Sequence, residues 1–208
     1  MIDDTDKPVL PTRTRFSDLG LQAPIVQALE EAGYTHALEV QEACTIPGMA
    51  GRDLVVRSRT GSGKTLAFTL PALHRIDYSR LEPQVLALAP TRELALQVYG
   101  EFEKAGARVG LRPVAIYGGT GFRTQNDRLE AGVHAIVGTP GRVMDHYRRG
   151  NLRLDTVRIF VLDEADEMLS AGFYEDILKV FKAVKPSLEQ TMLFSATLDP
   201  NIERLIGR

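Results

Sequence analysis

The stretch Ser58-Arg59-Thr60-Gly61-Ser62-Gly63-Lys64-Thr65 sets two glycines at alternate positions ahead of a lysine and a threonine. Glycine lets a chain curl so that successive N–H groups converge on one anion. The apolar run Leu54-Val55-Val56 precedes the turn, and a helical pattern follows it. That context is strand, phosphate-binding loop and helix N-terminus, with the positive end of the helix aimed at the anion. In such a turn Lys64 reaches the β and γ phosphates of a nucleotide, and Thr65 offers its hydroxyl to Mg²⁺. The usual pattern has Gly or Ala where this chain has Ser58; serine is small, so the expected perturbation is mild.

A phosphate loop needs a carboxylate from a second strand to hold the metal. Ile159-Phe160-Val161-Leu162 leads straight into Asp163 and Glu164. Asp163, at the strand end, suits Mg²⁺, and Glu164, one residue further out, suits the orientation or deprotonation of a water attacking the γ-phosphate. Further polar turns follow other apolar runs. Thr91 and Thr139 stand where a helix could be N-capped, Pro140 suits a first helical position, and Arg92 and Arg142 lie beside them. Gly118 and Gly119 allow close approach of another backbone, and Ser195 and Thr197, two apart at a strand end, share a face. Thr91 with Arg92, Thr139 with Arg142, and the Gly118–Gly119 pair together make a plausible track for a phosphodiester chain, read through its backbone and without sequence information.

The elements that must position these groups are legible in the pattern. Apolar runs at 53–58, 84–90, 113–119, 134–140, 158–166 and 191–197 read as strands buried on both faces. Helical patterns fall near 21–32, 38–49, 64–76, 92–106, 122–131, 141–149, 173–183 and 200–206. Alternation of this kind predicts an α/β fold, a parallel sheet with helices on both faces, whose ligands lie at the carboxyl ends of the strands. A length of 208 residues suits one domain with a sizeable core. The acidic, then Pro- and Thr-rich start predicts a mobile N-terminal tail over 1–14, ahead of the domain at 15–208.

Composition narrows the classes. A net charge of −2 argues against a broadly basic nucleic-acid binder, though not against a local basic patch. The single cysteine, Cys44, allows no internal disulfide and reads as a small buried hydrophobe. The four histidines are scattered without metal-ligand spacing. No apolar run approaches the ~20 residues of a membrane helix, and the N-terminus lacks a signal-peptide core, so no membrane partner and a cytoplasmic location are expected.

Asp163-Glu164-Ala165-Asp166 is the signature after which the DEAD-box RNA helicases are named, and the chain resembles that family from about Phe16 to its end. Pro90-Thr91-Arg92-Glu93-Leu94-Ala95, Gly118-Gly119, Thr139-Pro140-Gly141-Arg142 and Ser195-Ala196-Thr197 look like the family's other first-domain motifs, in the family's order. The resemblance implies a RecA-like, P-loop NTPase domain that binds ATP with Mg²⁺ through Thr60, Gly61, Ser62, Gly63, Lys64 and Thr65. It implies catalytic roles for Lys64, Asp163 and Glu164. It assigns Pro90, Thr91, Arg92, Gly118, Gly119, Thr139, Gly141 and Arg142 to the backbone of single-stranded RNA. It also implies that Ser195 and Thr197 hydrogen-bond near Asp166 and couple nucleotide state to RNA binding.

These helicases carry an adenine-reading element upstream. Gly33, Tyr34 and Gln41 match it, and Phe16 sits at the expected distance for the isolated aromatic. A glutamine can pair with adenine N6 and N7 and is mismatched by guanine O6. Ala37, Leu38 and Glu39, however, replace the family's Pro-Thr-Pro. Leu38 cannot cap a helix, so the helix is expected to start earlier, with Thr35 as its cap. The missing Thr hydroxyl is also expected to remove a link to the phosphate loop and to weaken nucleotide binding or adenine preference.

The chain stops eleven residues after Thr197, ahead of the second RecA-like domain and arginine fingers of a complete family member. The expectation is therefore the N-terminal half of an ATP-dependent RNA helicase, monomeric alone, binding nucleotide, hydrolysing it slowly and not unwinding duplex without its partner domain. The alternatives are a non-catalytic ATP-dependent RNA clamp or interaction module, and a DNA-directed helicase of the same superfamily.

Overall fold

In the computed structural model, residues 2–4, 11–59, 61–198 and 200–202 are described. Nine strands and eight α-helices alternate along them. The main sheet holds β1 (Ile2–Asp4), β4 (Leu54–Ser58), β9 (Gln190–Ser195), β8 (Ile159–Leu162), β5 (Val85–Leu88), β7 (Ala135–Gly138) and β6 (Pro113–Ile116), in that spatial order. Every pairing in it is parallel.

The continuous apolar runs sort by the two-residue period of a strand. On β5, Val85 and Ala87 enter one core, and Leu86 and Leu88 enter the other. On β8, Ile159 and Val161 divide from Phe160 and Leu162 in the same way. The first core is closed by α1 (Ala23–Glu31), α2 (Glu39–Met49), α3 (Lys64–Arg75) and α4 (Arg92–Ala105). The second is closed chiefly by α6 (Pro140–Arg148), α7 (Ala165–Ser170) and α8 (Tyr174–Val184), with α5 (Phe122–Glu130) packed at its margin through Leu129. Each fully buried Leu, Ile, Val or Phe adds roughly 1.5–3 kcal/mol, so the two cores hold the central strands rigidly beneath the loops they carry.

Three strands escape the sequence pattern. Ile2–Asp4 runs parallel to β4, and β2 (Pro11–Arg15) pairs antiparallel with β3 (His36–Leu38). The described residues of the expected tail are thus strands; residues 1 and 5–10 lie outside the description. These strands are three to five residues long, too short for an apolar alternation to mark them. The expected helix at 200–206 likewise runs beyond the described residues, and α7 is a short helix whose first residues, Ala165 and Asp166, fall within the run expected as strand.

The expected start of α2 is corrected. Residues 36–38 are extended, Leu38 (φ −80°, ψ 159°) is the cap residue, and the helix begins at Glu39. Pairing with β2 holds residues 36–38 extended, and the Gln41 side chain closes the helix start by accepting from the Leu38 N–H at 2.9 Å. Cys44 is buried, as expected.

Candidate functional site

All strands of the main sheet point the same way, so their carboxyl ends form one edge. Along it, from β4 to β6, stand the phosphate loop, then the Ser195–Thr197 turn, Asp163 to Asp166, the Pro90–Arg92 turn, the Thr139–Arg142 turn and the Gly118–Gly119 loop. At about 4.8 Å per strand these groups span roughly 24 Å.

At the β4 end, Gly61 (φ +80°) and Gly63 (φ +90°) adopt the left-handed region that glycine tolerates. A Cβ on Gly63 would stand 2.5 Å from Leu38 Cδ1 and 2.7 Å from Gln41 Nε2, so a larger residue would displace both side chains from the loop besides straining the backbone. The Ser58 and Ser62 hydroxyls share a buried hydrogen bond of 2.5 Å, which ties the two sides of the loop together. Lys64 is buried; its Nζ donates to the Ser58 carbonyl at 3.1 Å and pairs with the Glu164 carboxylate at 2.9 Å. Thr60 lies outside the described residues.

Glu164 is the one non-glycine residue with positive φ (51°) among the described residues. Such a backbone is held only where its surroundings over-determine it. Here the Glu164 N–H donates to Asp163 Oδ1 at 3.1 Å, and the side chain reaches Lys64. Burial pushes the Asp163 carboxyl up to about 7; the Lys64 charge opposes the shift and Glu164 reinforces it. A buried carboxylate held this high, with Thr65 lining the same cleft, is an oxygen donor set suited to a hard divalent cation. The cleft measures about 270 Å³ and is lined by Tyr34, Leu38, Gln41, the loop glycines, Lys64, Thr65, Asp163 and Glu164. A hollow of about 360 Å³ under α8, at the opposite end of β4 and β9, is lined mainly by apolar side chains and gathers no such groups.

The adenine-reading candidates are placed unequally. Tyr34 and Gln41 line the cleft, whereas Phe16 is 2% exposed and sits in the first core. Gln41 accepts from the Leu38 N–H and donates from Nε2 to the Gly63 carbonyl at 3.1 Å. The link to the phosphate loop that the missing hydroxyl was expected to remove is therefore made by Gln41 itself. Gln97 and Glu101 on α4 line the same cleft and carry no sequence signal of their own; the Tyr34 hydroxyl donates to Glu101 at 3.4 Å.

Asp166 accepts from the Thr197 N–H (3.0 Å) and hydroxyl (3.1 Å) through Oδ2, and its own N–H donates to Ser195 Oγ at 3.2 Å. Burial raises the Asp166 pKa, but the hydrogen bonds from Ser195 and Thr197 outweigh it and leave the carboxyl below its usual range.

Toward β6 the remaining candidates converge on the loop at 117–122. Thr91 caps α4 by accepting from the Leu94 N–H at 3.2 Å, while the Thr139 hydroxyl makes no cap bond at the start of α6. The Arg92 guanidinium lies 5.0 Å from the Tyr117 ring centroid, close to Gly119. Arg142 donates to the Thr120 carbonyl and to Gln125 Oε1, and its guanidinium lies 3.7 Å from the Phe122 centroid. Pro90 lies two residues ahead of Arg92, which opens α4, and Gly141 precedes Arg142 at the start of α6.

Gln125, which carries no motif in the sequence, is the hub of this end. It is buried, donates to the Tyr117 carbonyl and Thr120 Oγ1, and accepts from Arg142 Nε and His146 Nε2. Two donors on Oε1 set its amide orientation and put the His146 proton on Nε2. Burial, then the Arg142 and Arg149 charges, push the His146 imidazole below its usual pKa, so it is neutral at pH 7. A buried glutamine is a recognisable oddity only once its burial is known; in the sequence it is one polar residue in a polar helix.

Comparison with known proteins matches this arrangement. The model of the DEAD/DEAH box helicase family matches residues 38–205. The ATP-dependent RNA helicase CshA of Listeria monocytogenes is 46% identical over 92% of the chain, and DeaD of Escherichia coli is 45% identical over 94%. The chain spans 37% and 31% of the lengths of these two curated relatives. Among solved structures, a DEAD box protein from Methanococcus jannaschii superposes with a TM-score of 0.89 at 34% identity, covering 96% of this chain and 54% of that one. A hypothetical ATP-dependent RNA helicase from Sulfolobus tokodaii superposes at 0.83 with 33% identity, over 90% of this chain and 54% of that one. The fold is accordingly the RecA-like parallel α/β domain expected from the sequence.

Proposed function

The chain belongs to the DEAD/DEAH box helicase family, and on that premise we propose that it is the nucleotide-binding, N-terminal half of an ATP-dependent RNA helicase. The observation that carries the proposal is the order along one sheet edge. A phosphate loop with Asp163 and Glu164 stands at one end, and Arg92, the paired glycines and Arg142 gather around one loop at the other.

Magnesium-bound ATP would supply the electrophilic γ-phosphoryl group. The amides of residues 61–63 would hold the phosphates, and Thr65 and Asp163 would hold the metal. Lys64 exchanges the Ser58 carbonyl and Glu164 for phosphate oxygens. Glu164, released from Lys64, keeps an acceptor oxygen for the proton of the attacking water. Gln41 faces the base and Tyr34 packs beside it. Arg92 and Arg142 contact RNA phosphates, and the Thr139 hydroxyl is available for the same strand. Asp166 relays between the sites, because its carboxylate holds the β9 turn at Thr197 while Asp163 and Glu164 lie immediately before it. Hydrolysis and strand separation require a second RecA-like domain, whose arginines stabilise transition-state charge and are worth ~10³–10⁵ in rate.

Calorimetric titration with Mg-ADP and Mg-GDP tests the nucleotide half of this reading. ADP is expected to bind more tightly, Gln41→Ala to erase that preference, and Lys64→Ala to abolish binding. Equal affinity for both nucleotides overturns the role of Gln41, and undiminished binding by Lys64→Ala overturns the cleft assignment.

A further inference from the structure

The cluster around Phe122 extends past the residues assigned so far. Arg142, His146 and Arg149 recur at the spacing of one helical face of α6 and its last turn. Arg149 stands seven residues after Arg142, about 10 Å further along the helix axis. Its side chain leans back, and the guanidinium lies 4.1 Å from the centroid of the ring that Arg142 already contacts at 3.7 Å. Arg149 is exposed.

Two cations on one aromatic ring repel each other. Among the described residues neither is paired with a carboxylate, whereas the neighbouring Arg148 and Arg153 pair with Asp145 and Asp155 at 3.9 and 2.9 Å. His146 between them is held neutral and adds no counter-charge. Phe122 offers the π face that orients both guanidinium groups, and a guanidinium stacked in this way still has N–H edges directed outward. An unneutralised pair of oriented guanidinium groups has the charge and the outward N–H donors that a phosphate requires.

We propose that Arg149, held on Phe122, is a further phosphate contact of the RNA strand, placed beyond Arg142. The proposal rests on the reading of residues 90–92, 118–119 and 139–142 as an RNA track. Arg148, adjacent in sequence but paired with Asp145, makes no such contact.

The test is binding of a fluorescent single-stranded oligouridylate to the 208-residue chain over a range of salt concentrations. Each phosphate neutralised on a single strand contributes about 0.7 to the slope of log K against log salt. Arg149→Met keeps an unbranched apolar stem over Phe122 and removes the charge. It is expected to weaken binding about eightfold near 50 mM salt and about threefold near 200 mM, with the slope reduced by about 0.7. Arg149→Lys is expected to restore the slope, and Arg148→Met to leave slope and affinity unchanged. An unchanged slope in Arg149→Met, alongside weakened binding by Arg92→Ala and Arg142→Ala, overturns the proposal and leaves the RNA track standing. A chain that binds no RNA even near 50 mM salt overturns both. Thermal unfolding of Arg149→Met separates lost charge from lost structure, since unfolding at a lower temperature with an unchanged slope also counts against the proposal.

Discussion

Asp163 carries the sharpest consequence at the scale of single residues. Its carboxyl is raised from the usual 3.8 to about 7, chiefly by burial. Between those two values the folded chain keeps a proton that the unfolded chain has released, so this group's contribution to stability falls as pH rises through that window. A divalent cation takes the carboxylate form, so binding of a magnesium-nucleotide displaces the proton. Affinity should therefore rise with pH up to about 7 and then level off. Calorimetry at pH 6.5 in two buffers of different ionisation enthalpy checks this. The observed heat should differ between buffers in the parent chain and much less in Asp163→Asn; equal buffer dependence in both removes Asp163 as the source of the proton. Ser58 illustrates the same scale from the sequence side. It stands where the pattern has Gly or Ala, and its hydroxyl turns inward to Ser62, which is how a small polar residue is accommodated there.

At the scale of elements, the phosphate loop depends on how closely α2 approaches α3. A Cβ on Gly48 would stand 2.7 Å from Pro71 Cβ and 2.8 Å from its Cγ. Proline side chains are rigid, so Gly48→Ala must push the helices apart. It is expected to lose about 1–3 kcal/mol of stability and to weaken nucleotide binding, because Gln41 on α2 would draw away from the Gly63 carbonyl. Denaturant unfolding together with Mg-ADP titration reads both effects; a loss of stability with unchanged nucleotide affinity would show that the Gln41–Gly63 bond is not needed for binding. The start of α2 teaches a complementary lesson. The side chains of Thr35 and Leu38 allowed a cap at Thr35, but the backbone at 36–38 is held by β2, a strand too short and polar to declare itself in the sequence. Tertiary pairing overrode the local capping preference, and Gln41 closed the helix start instead.

At the scale of the whole molecule, nucleotide should act on the stability of the entire domain. The cleft joins residues at the ends of β4 and β8, and those strands lie next to β9 in the middle of the sheet, between the two cores. A ligand at one hundred times its Kd adds about 2.7 kcal/mol to folding, and each kcal/mol moves the midpoint of a domain of this size by about 2–4 °C. Mg-ADP at that excess should raise the thermal midpoint by about 5–10 °C, and Lys64→Ala should remove the shift. A thermal scan that shows no shift at saturation in the parent chain contradicts binding at this edge.

The sequence by itself determined the class of fold, the central strands and the groups that could do chemistry. Apolar runs of strand length alternating with helical patterns permit little besides a parallel sheet, and parallel strands deliver their polar ends to one edge. The spacing from Ser58 to Thr65 likewise admits few readings, because loop, lysine and helix start are contiguous in the chain. Only the tertiary structure decided the order of strands along the edge, which sets Ser195 and Thr197 between the phosphate loop and Asp166. It also decided that Lys64 pairs with Glu164, that Phe16 is buried, and that Gln125 binds the loop at 117–120 to Arg142. These are contacts between residues far apart in the chain, and local propensity carries no information about which distant partner a side chain meets.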